Sequence, residues 1–188
     1  MGKDVVMLSL SLDGFMEGPD RDISWHLVDD ELHTDFNEYL KTVRAFLEGR
    51  VTHELMAGFW PTADEDPTNP APVREFAGIW REKPKYVFSK TLEPSQSWNT
   101  TVLRDVVPEE IAGLKGRVDG DLSLGGADLA ATFMQLDLID DYRLYIHPVV
   151  IGAGKRLFPP DVRFDLNLAG TRSFGNGVVL LRYERATS

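Results

Sequence analysis

Residues 123–136 read SLGGADLAATFMQL: the end of a short apolar strand, two adjacent glycines, and an amphipathic helix. In that helix Leu129, Phe133 and Leu136 form one stripe, which Ala130 and Met134 widen. A strand that runs straight into a helix reaches its next strand by a crossover, and crossovers lay helices over a mostly parallel sheet. The rest of the chain repeats the passage. DVVMLSLSL (4–12) has strand character and ends at the turn-forming Asp13-Gly14. From about Asp29 to Val43, Leu32, Phe36, Tyr39, Leu40 and Val43 recur at spacings of three and four behind an acidic first turn, which predicts a helix. AFLEG is a short strand, RVTHELMAGF a short helix, and PTADEDPTNPAP a polar surface loop. A helix over Pro72–Trp80, strands KYVFS and TTVLRD, a helix at PEEIAGLKG and a strand run YRLYIHPVVIG follow. FDLNLAGTRSF and GVVLLRYER, joined at GNG with no helix between, predict a C-terminal antiparallel hairpin. The fold class is α/β.

At 188 residues and 43% hydrophobic, with no internal repeat or dividing linker, residues 1–188 are expected to form a single domain. Cysteine is absent, which removes disulfides, thiolate metal sites and thiol nucleophiles. No apolar run approaches the ~20 residues that span a membrane. The N-terminus lacks a basic segment followed by an apolar stretch, so the expected location is cytoplasmic. The formal charge of −10 repels nucleic acid and anionic lipid at long range. A phosphorylated ligand would therefore need a local basic pocket.

Several familiar motifs fail. GAGKR (152–156) lacks the first glycine of a phosphate loop and has Arg156 where Ser or Thr is required. No G-x-G-x-x-G follows the first strand, and no G-x-S-x-G occurs. His26, His33, His53 and His147 show no H-x-x-x-H spacing, so no metal is expected. What remains is three strand ends. GRVTHE (49–54) sets Arg50 at a strand-to-helix junction with Thr52 as a possible N-cap; FSK (88–90) ends a strand on a hydroxyl and an ammonium; Gly125-Gly126 end a third before a helix N-terminus. Ligands of open α/β sheets bind at strand carboxyl ends, so the three together point to an anion site.

SLDGFMEGPD, GRVTHE, YVFSK, LGGADLAATF and HPVVIGAGKRLF, taken in order, resemble the dihydrofolate reductase superfamily, in its bacterial branch similar to the reductase domain of riboflavin biosynthesis proteins. The resemblance runs from about Val5 to Tyr183 and implies a dihydrofolate reductase-like fold with helices on both faces of the sheet. It further implies an NADPH-dependent reductase acting on a small pterin- or pyrimidine-like substrate, related to 5-amino-6-(5-phosphoribosylamino)uracil reductase. By the same resemblance Gly125, Gly126, Ala127, Asp128 and Leu129 would bind the cofactor pyrophosphate. Arg50, Thr52, Ser89 and Lys90 would hold its 2′-phosphate, and Ser9, Asp13, Met16 and Gly18 would flank the nicotinamide. Trp25 and Phe36 could sandwich the substrate ring, though a place in the core is an equal reading. No proton donor is singled out: Asp29, Asp30, Glu31 and Asp35 compete at the start of the first helix, and Asp13 suits a turn equally well. Similar pyrimidine reductases carry a lysine where this chain has Met7. A homodimer is expected from the apolar C-terminal strands, notably GVVLLRYER, which would invite pairing at an uncovered edge, and from the resemblance, since similar family members dimerise. The competing expectation is a nucleotide-binding or ligand-sequestering protein without turnover.

Overall fold

The structure is a computed structural model and describes residues 2–94 and 97–186. Its first part runs β1 (Asp4–Ser11), β2 (Phe15–Glu17), α1 (Asp30–Thr42), β3 (Ala45–Gly49), α2 (Arg50–Ala57), α3 (Ala71–Glu82), β4 (Lys85–Phe88) and β5 (Thr100–Leu103). Then come α4 (Pro108–Val118), β6 (Leu122–Gly125), α5 (Ala127–Gln135), β7 (Asp141–His147), β8 (Lys155–Arg156), β9 (Leu166–Ser173) and β10 (Val179–Arg185). Eight strands form one sheet in the order β5-β4-β3-β6-β1-β7-β10-β9. All pairs from β5 to β7 are parallel, and β10 pairs antiparallel with both β7 and β9.

Strand parity distributes the core. Val6, Leu8 and Leu10 of β1, with Ala45 and Leu47 of β3, pack against Ile111 and Leu114 of α4 and Leu129, Ala130 and Phe133 of α5. The alternate positions, Met7 and Phe46, face Leu40 of α1 and Phe76 and Trp80 of α3. Adjacent strand residues point to opposite faces, so helices cover both sides. Asp29 caps α1 by accepting the Leu32 amide at 2.9 Å.

Two expectations change. The stripe on α5 ends at Phe133, because Leu136 lies at the helix C-cap and is 40% exposed. GVVLLRYER is not an edge: β10 lies between β7 and β9, and its Leu180 is buried. The edge is β9, mostly exposed, where Leu168 stands beside Asn167, Thr171, Arg172 and Ser173, so any pairing at a bare edge would run through β9 and not GVVLLRYER. The sequence also gave no sign of the small ribbon in which β2 pairs with β8.

Phe133 is fully buried and meets the Phe88 ring edge-on at 5.8 Å. Phe133→Ala should cost about 3 to 5 kcal/mol in urea unfolding, whereas Leu136→Ala should cost under about 1 kcal/mol.

Candidate active site

β3 and β6 are neighbours, with Glu48 opposite Gly125, and each runs directly into a helix. The N-caps of α2 and α5 are Gly49 and Gly126, and neither end has a side-chain cap. The first-turn amides of two helices are therefore left for other partners side by side. They border a cleft of about 510 Å³ that is also lined by Phe88 at the end of β4, by Ser89 and Lys90 just beyond it, and by Arg104 beyond β5. Thr52 is thus inside α2 and is not its N-cap; it abuts the start of α5. Gly126 has φ +99°, and a Cβ placed there would come within 2.7 Å of Thr52 Oγ1. Both facts require glycine for internal reasons, whatever occupies the cleft.

The cleft is lined by cations. Arg50 pairs with Glu54 at 2.9 Å, Lys90 with Asp105 at 3.4 Å, and Lys155 with Asp128 at 2.6 Å, all at least partly exposed. The Arg104 guanidinium donates to the carbonyls of Ser89 at 2.9 Å and Leu92 at 2.8 Å. The Ser89 hydroxyl accepts the amides of Thr91 and Leu92, so its own proton is still free to be donated. Of the residues expected to bind cofactor, Met16, Arg50, Thr52, Ser89, Lys90, Gly126, Ala127, Asp128 and Leu129 border the cleft. Gly125 lies one residue back in β6, and a Cβ on it would only touch Thr52 Cγ2 at 3.9 Å. Gly18 is not in the lining; its backbone packs against Gly154, where a side chain would strike the Glu17 carbonyl. That contact explains the second glycine of GAGKR, and the ribbon it permits carries Lys155 to the cleft.

A smaller annex of about 210 Å³ shares Met16 and Glu17 with the cleft and is bordered by Ser9, Ile23, His26, Phe36 and Tyr145. Phe36 meets Tyr145 edge-on at 4.6 Å. Trp25 does not border the annex. Its indole N–H donates to the Asp22 carbonyl at 3.1 Å and its ring stands against His26, which takes the expected place. The candidate acids are also used elsewhere. Asp13 accepts from the Ser11 hydroxyl at 2.6 Å and from the amides of Ile151 and Gly152 at 3.2 and 2.8 Å, which holds its carboxyl below the usual range. Asp29 caps α1, Asp30 lies in its first turn, and Glu31 accepts the Gly175 amide. Asp35 is buried, accepting from the Tyr145 hydroxyl at 2.8 Å and from Arg172 at 2.6 Å. None of these five borders the annex; Glu17 does.

Behind the annex, His26 and His147 stack at 5.2 Å between ring centroids, 20° from parallel. His147 is fully buried and its Nδ1 accepts the Leu27 amide at 3.1 Å. Burial, helped by the neighbouring His26, pushes His147 down to about 4, so it is neutral near pH 7. Both Nε2 atoms are buried without a partner. Among the described residues no cluster of His, Asp and Glu is arranged to hold a metal ion, and no helix is long and apolar enough to cross a membrane.

The family described as the RibD C-terminal domain matches residues 5–180. The chain belongs to that family. It is 36% identical over 182 residues to an uncharacterized Bacillus subtilis protein, YyaP, covering 95% of this chain and 93% of that one. A Shewanella sp. PV-4 structure, provisionally assigned to riboflavin biosynthesis, superposes with a TM-score of 0.75 at 21% identity, covering 98% and 99% of the two chains. A Thermotoga maritima structure described as a diaminohydroxyphosphoribosylaminopyrimidine deaminase/5-amino-6-(5-phosphoribosylamino)uracil reductase gives 0.67 at 17% identity, over 98% of this chain and 57% of that one. At these identities the structures speak for the fold, and the RibD C-terminal family places the chain in the dihydrofolate reductase-like class.

Sequence reasoning missed Arg104, Lys155, Glu17 and His26. Arg104 had a usable signal, since it ends a strand as Arg50 and Lys90 do. Adding a side chain at Gly126 should be destabilising before any ligand is present: Gly126→Ala should lose about 1 to 3 kcal/mol by thermal unfolding, and Thr52→Ala in the same chain should recover part of it. His147 makes a separate prediction. It binds fewer protons folded than unfolded between pH about 4 and 6.5, so its contribution is complete above 6.5 and is lost on acidification. Asp4, raised to about 6 by burial, has the opposite slope. The comparison with His147→Gln cancels that contribution: the wild type should lose up to about 3 kcal/mol more than the variant between those limits in chemical denaturation.

Proposed function

We propose that this chain is an NADPH-dependent reductase that delivers a hydride to a small heterocycle. Membership of the RibD C-terminal family supports a reductase. The observation that carries the cofactor reading is the pair of glycine-started helices without side-chain caps, side by side on a cation-lined cleft in a chain of net charge −10. An acidic protein that gathers Arg50, Lys90, Arg104 and Lys155 around one cleft has built a place for anions.

The residues fit a dinucleotide with two anionic groups. The amides of Ala127, Asp128 and Leu129, with the bare Gly126 backbone, suit a pyrophosphate at the positive end of α5. Arg50, Lys90 and the free proton of the Ser89 hydroxyl suit a terminal phosphate, with Arg104 behind them, and Thr52 orders the α2 start against α5. Met16 and Glu17, shared by cleft and annex, mark where the reacting ring would meet its substrate, with Ser9 on the annex side. When bound, the cofactor supplies the hydride. The chain's own task is to orient two flat rings and keep water from between them, and the Phe36, Met7 and Tyr145 walls of the annex do this.

The phosphate contacts give the test. Arg50→Ala should weaken NADPH binding about tenfold or more in titration calorimetry and leave NADH affinity unchanged, because a charge-assisted contact contributes roughly 1.5 to 3 kcal/mol. NADPH bound equally by wild type and variant would overturn the cofactor assignment. Firm NADPH binding with no loss of nicotinamide absorbance across pterins, pyrimidines and quinones would turn the reading towards sequestration.

A further inference from the structure

The annex carries information about its occupant that the cofactor cleft does not. Met7, Leu8, Met16, Ile23 and Phe36 make its wall mostly apolar, and Ser9, His26 and Tyr145 add polar atoms. Among the described lining residues the single charge is the Glu17 carboxylate. The basic side chains border the cleft instead. Two arginines stand behind the Tyr145 wall, but both are committed: Arg172 lies 2.6 Å and Arg143 3.7 Å from the buried Asp35 carboxylate, and Arg172 also lies 3.9 Å from Glu31. A phosphate in the annex would meet Glu17 and find no cation to offset its desolvation.

Shape supplies the other constraint. The cavity of about 210 Å³ takes one ring or two fused rings, and thioether and aromatic walls suit a flat π face.

We infer that the annex accepts an unphosphorylated planar heterocycle, neutral or cationic, held flat between its apolar and aromatic walls, and that Glu17 and the lack of a lining cation exclude phosphorylated analogues. The inference rests on reading the annex as the place of the hydride acceptor. It departs from the phosphoribosyl substrate named for the Thermotoga maritima relative.

Two matched pairs test it: uridine with uridine 5′-monophosphate, and 6-hydroxymethylpterin with its monophosphate. Each is titrated by calorimetry into the protein with and without NADPH. In at least one pair the unphosphorylated member should bind about tenfold tighter or better. Glu17→Gln should narrow that preference, and Met7→Lys, which adds a cation to the lining, should bring the two members near parity. Equal or tighter binding of the phosphorylated members by the wild type, or binding of neither member of either pair, would each overturn the inference. The NADPH titration of the same samples is read separately, so a protein that shows the preference but binds no NADPH refutes the cofactor assignment alone.

Discussion

The parallel pairing of β3 with β6 is the constraint on which the rest of the cleft depends. Neighbouring strands lie about 4.8 Å apart. With Glu48 opposite Gly125, α2 and α5 must begin almost in contact. The closeness shows at Thr52 and Gly126, where even one added carbon would not fit. Two positive helix ends placed together repel each other, and neither is relieved by a capping side chain. Topology thus concentrates unsatisfied donors at one point, and the late insertion of β6 between β3 and β1 is what brings them there.

The ion pairs around that point are of a kind easily exchanged. Arg50–Glu54, Lys90–Asp105 and Lys155–Asp128 involve exposed side chains, and such pairs contribute roughly 0 to 1 kcal/mol. The carboxylates hold the cations near the cleft without binding them tightly. An incoming phosphate, with more charge and more acceptor oxygens, would compete well for the same guanidinium and ammonium groups. The buried Asp35 behaves differently. It holds the Tyr145 hydroxyl in the interior and draws the half-exposed Arg172 against it at short range, so it orders the annex wall and does not serve as a replaceable partner.

What the sequence made legible was local. The three-and-four spacing from Leu32 to Leu40 needs no distant partner to be read, and neither do the parity of β1 or the double glycine before α5. Strand-end residues such as Arg50 and Lys90 were legible for the same reason, since topology sends strand carboxyl ends to the ligand side. The ribbon of β2 and β8 was not, because strands of three and two residues are too short to show a period. Trp25 and His26 are adjacent in a loop, where no period says which side chain borders the annex; both rings pack on His147, and only His26 reaches the annex wall. Asp29 could have been read as a cap from its place before the first helical turn, which would have removed it from the candidate acids.

The loop after β1 is fixed to the rest of the molecule by residues from far along the chain. Asp13 is tied to Ile151 and Gly152, Leu12 to the Val149 carbonyl, Leu27 to His147, and β2 to β8. Each of these ties joins the first thirty or so positions to a stretch more than a hundred residues later. During synthesis, an early wall of the annex must therefore wait for the last third of the chain before it can be fixed, and such distant closures are the slow ones. The pairing of β1 with β6 spans a comparable separation, so the core also waits for the later part of the chain. A chain stopped short of His147 would lack the partners of Asp13, Leu12, Leu27 and β2, and so would have no finished pocket.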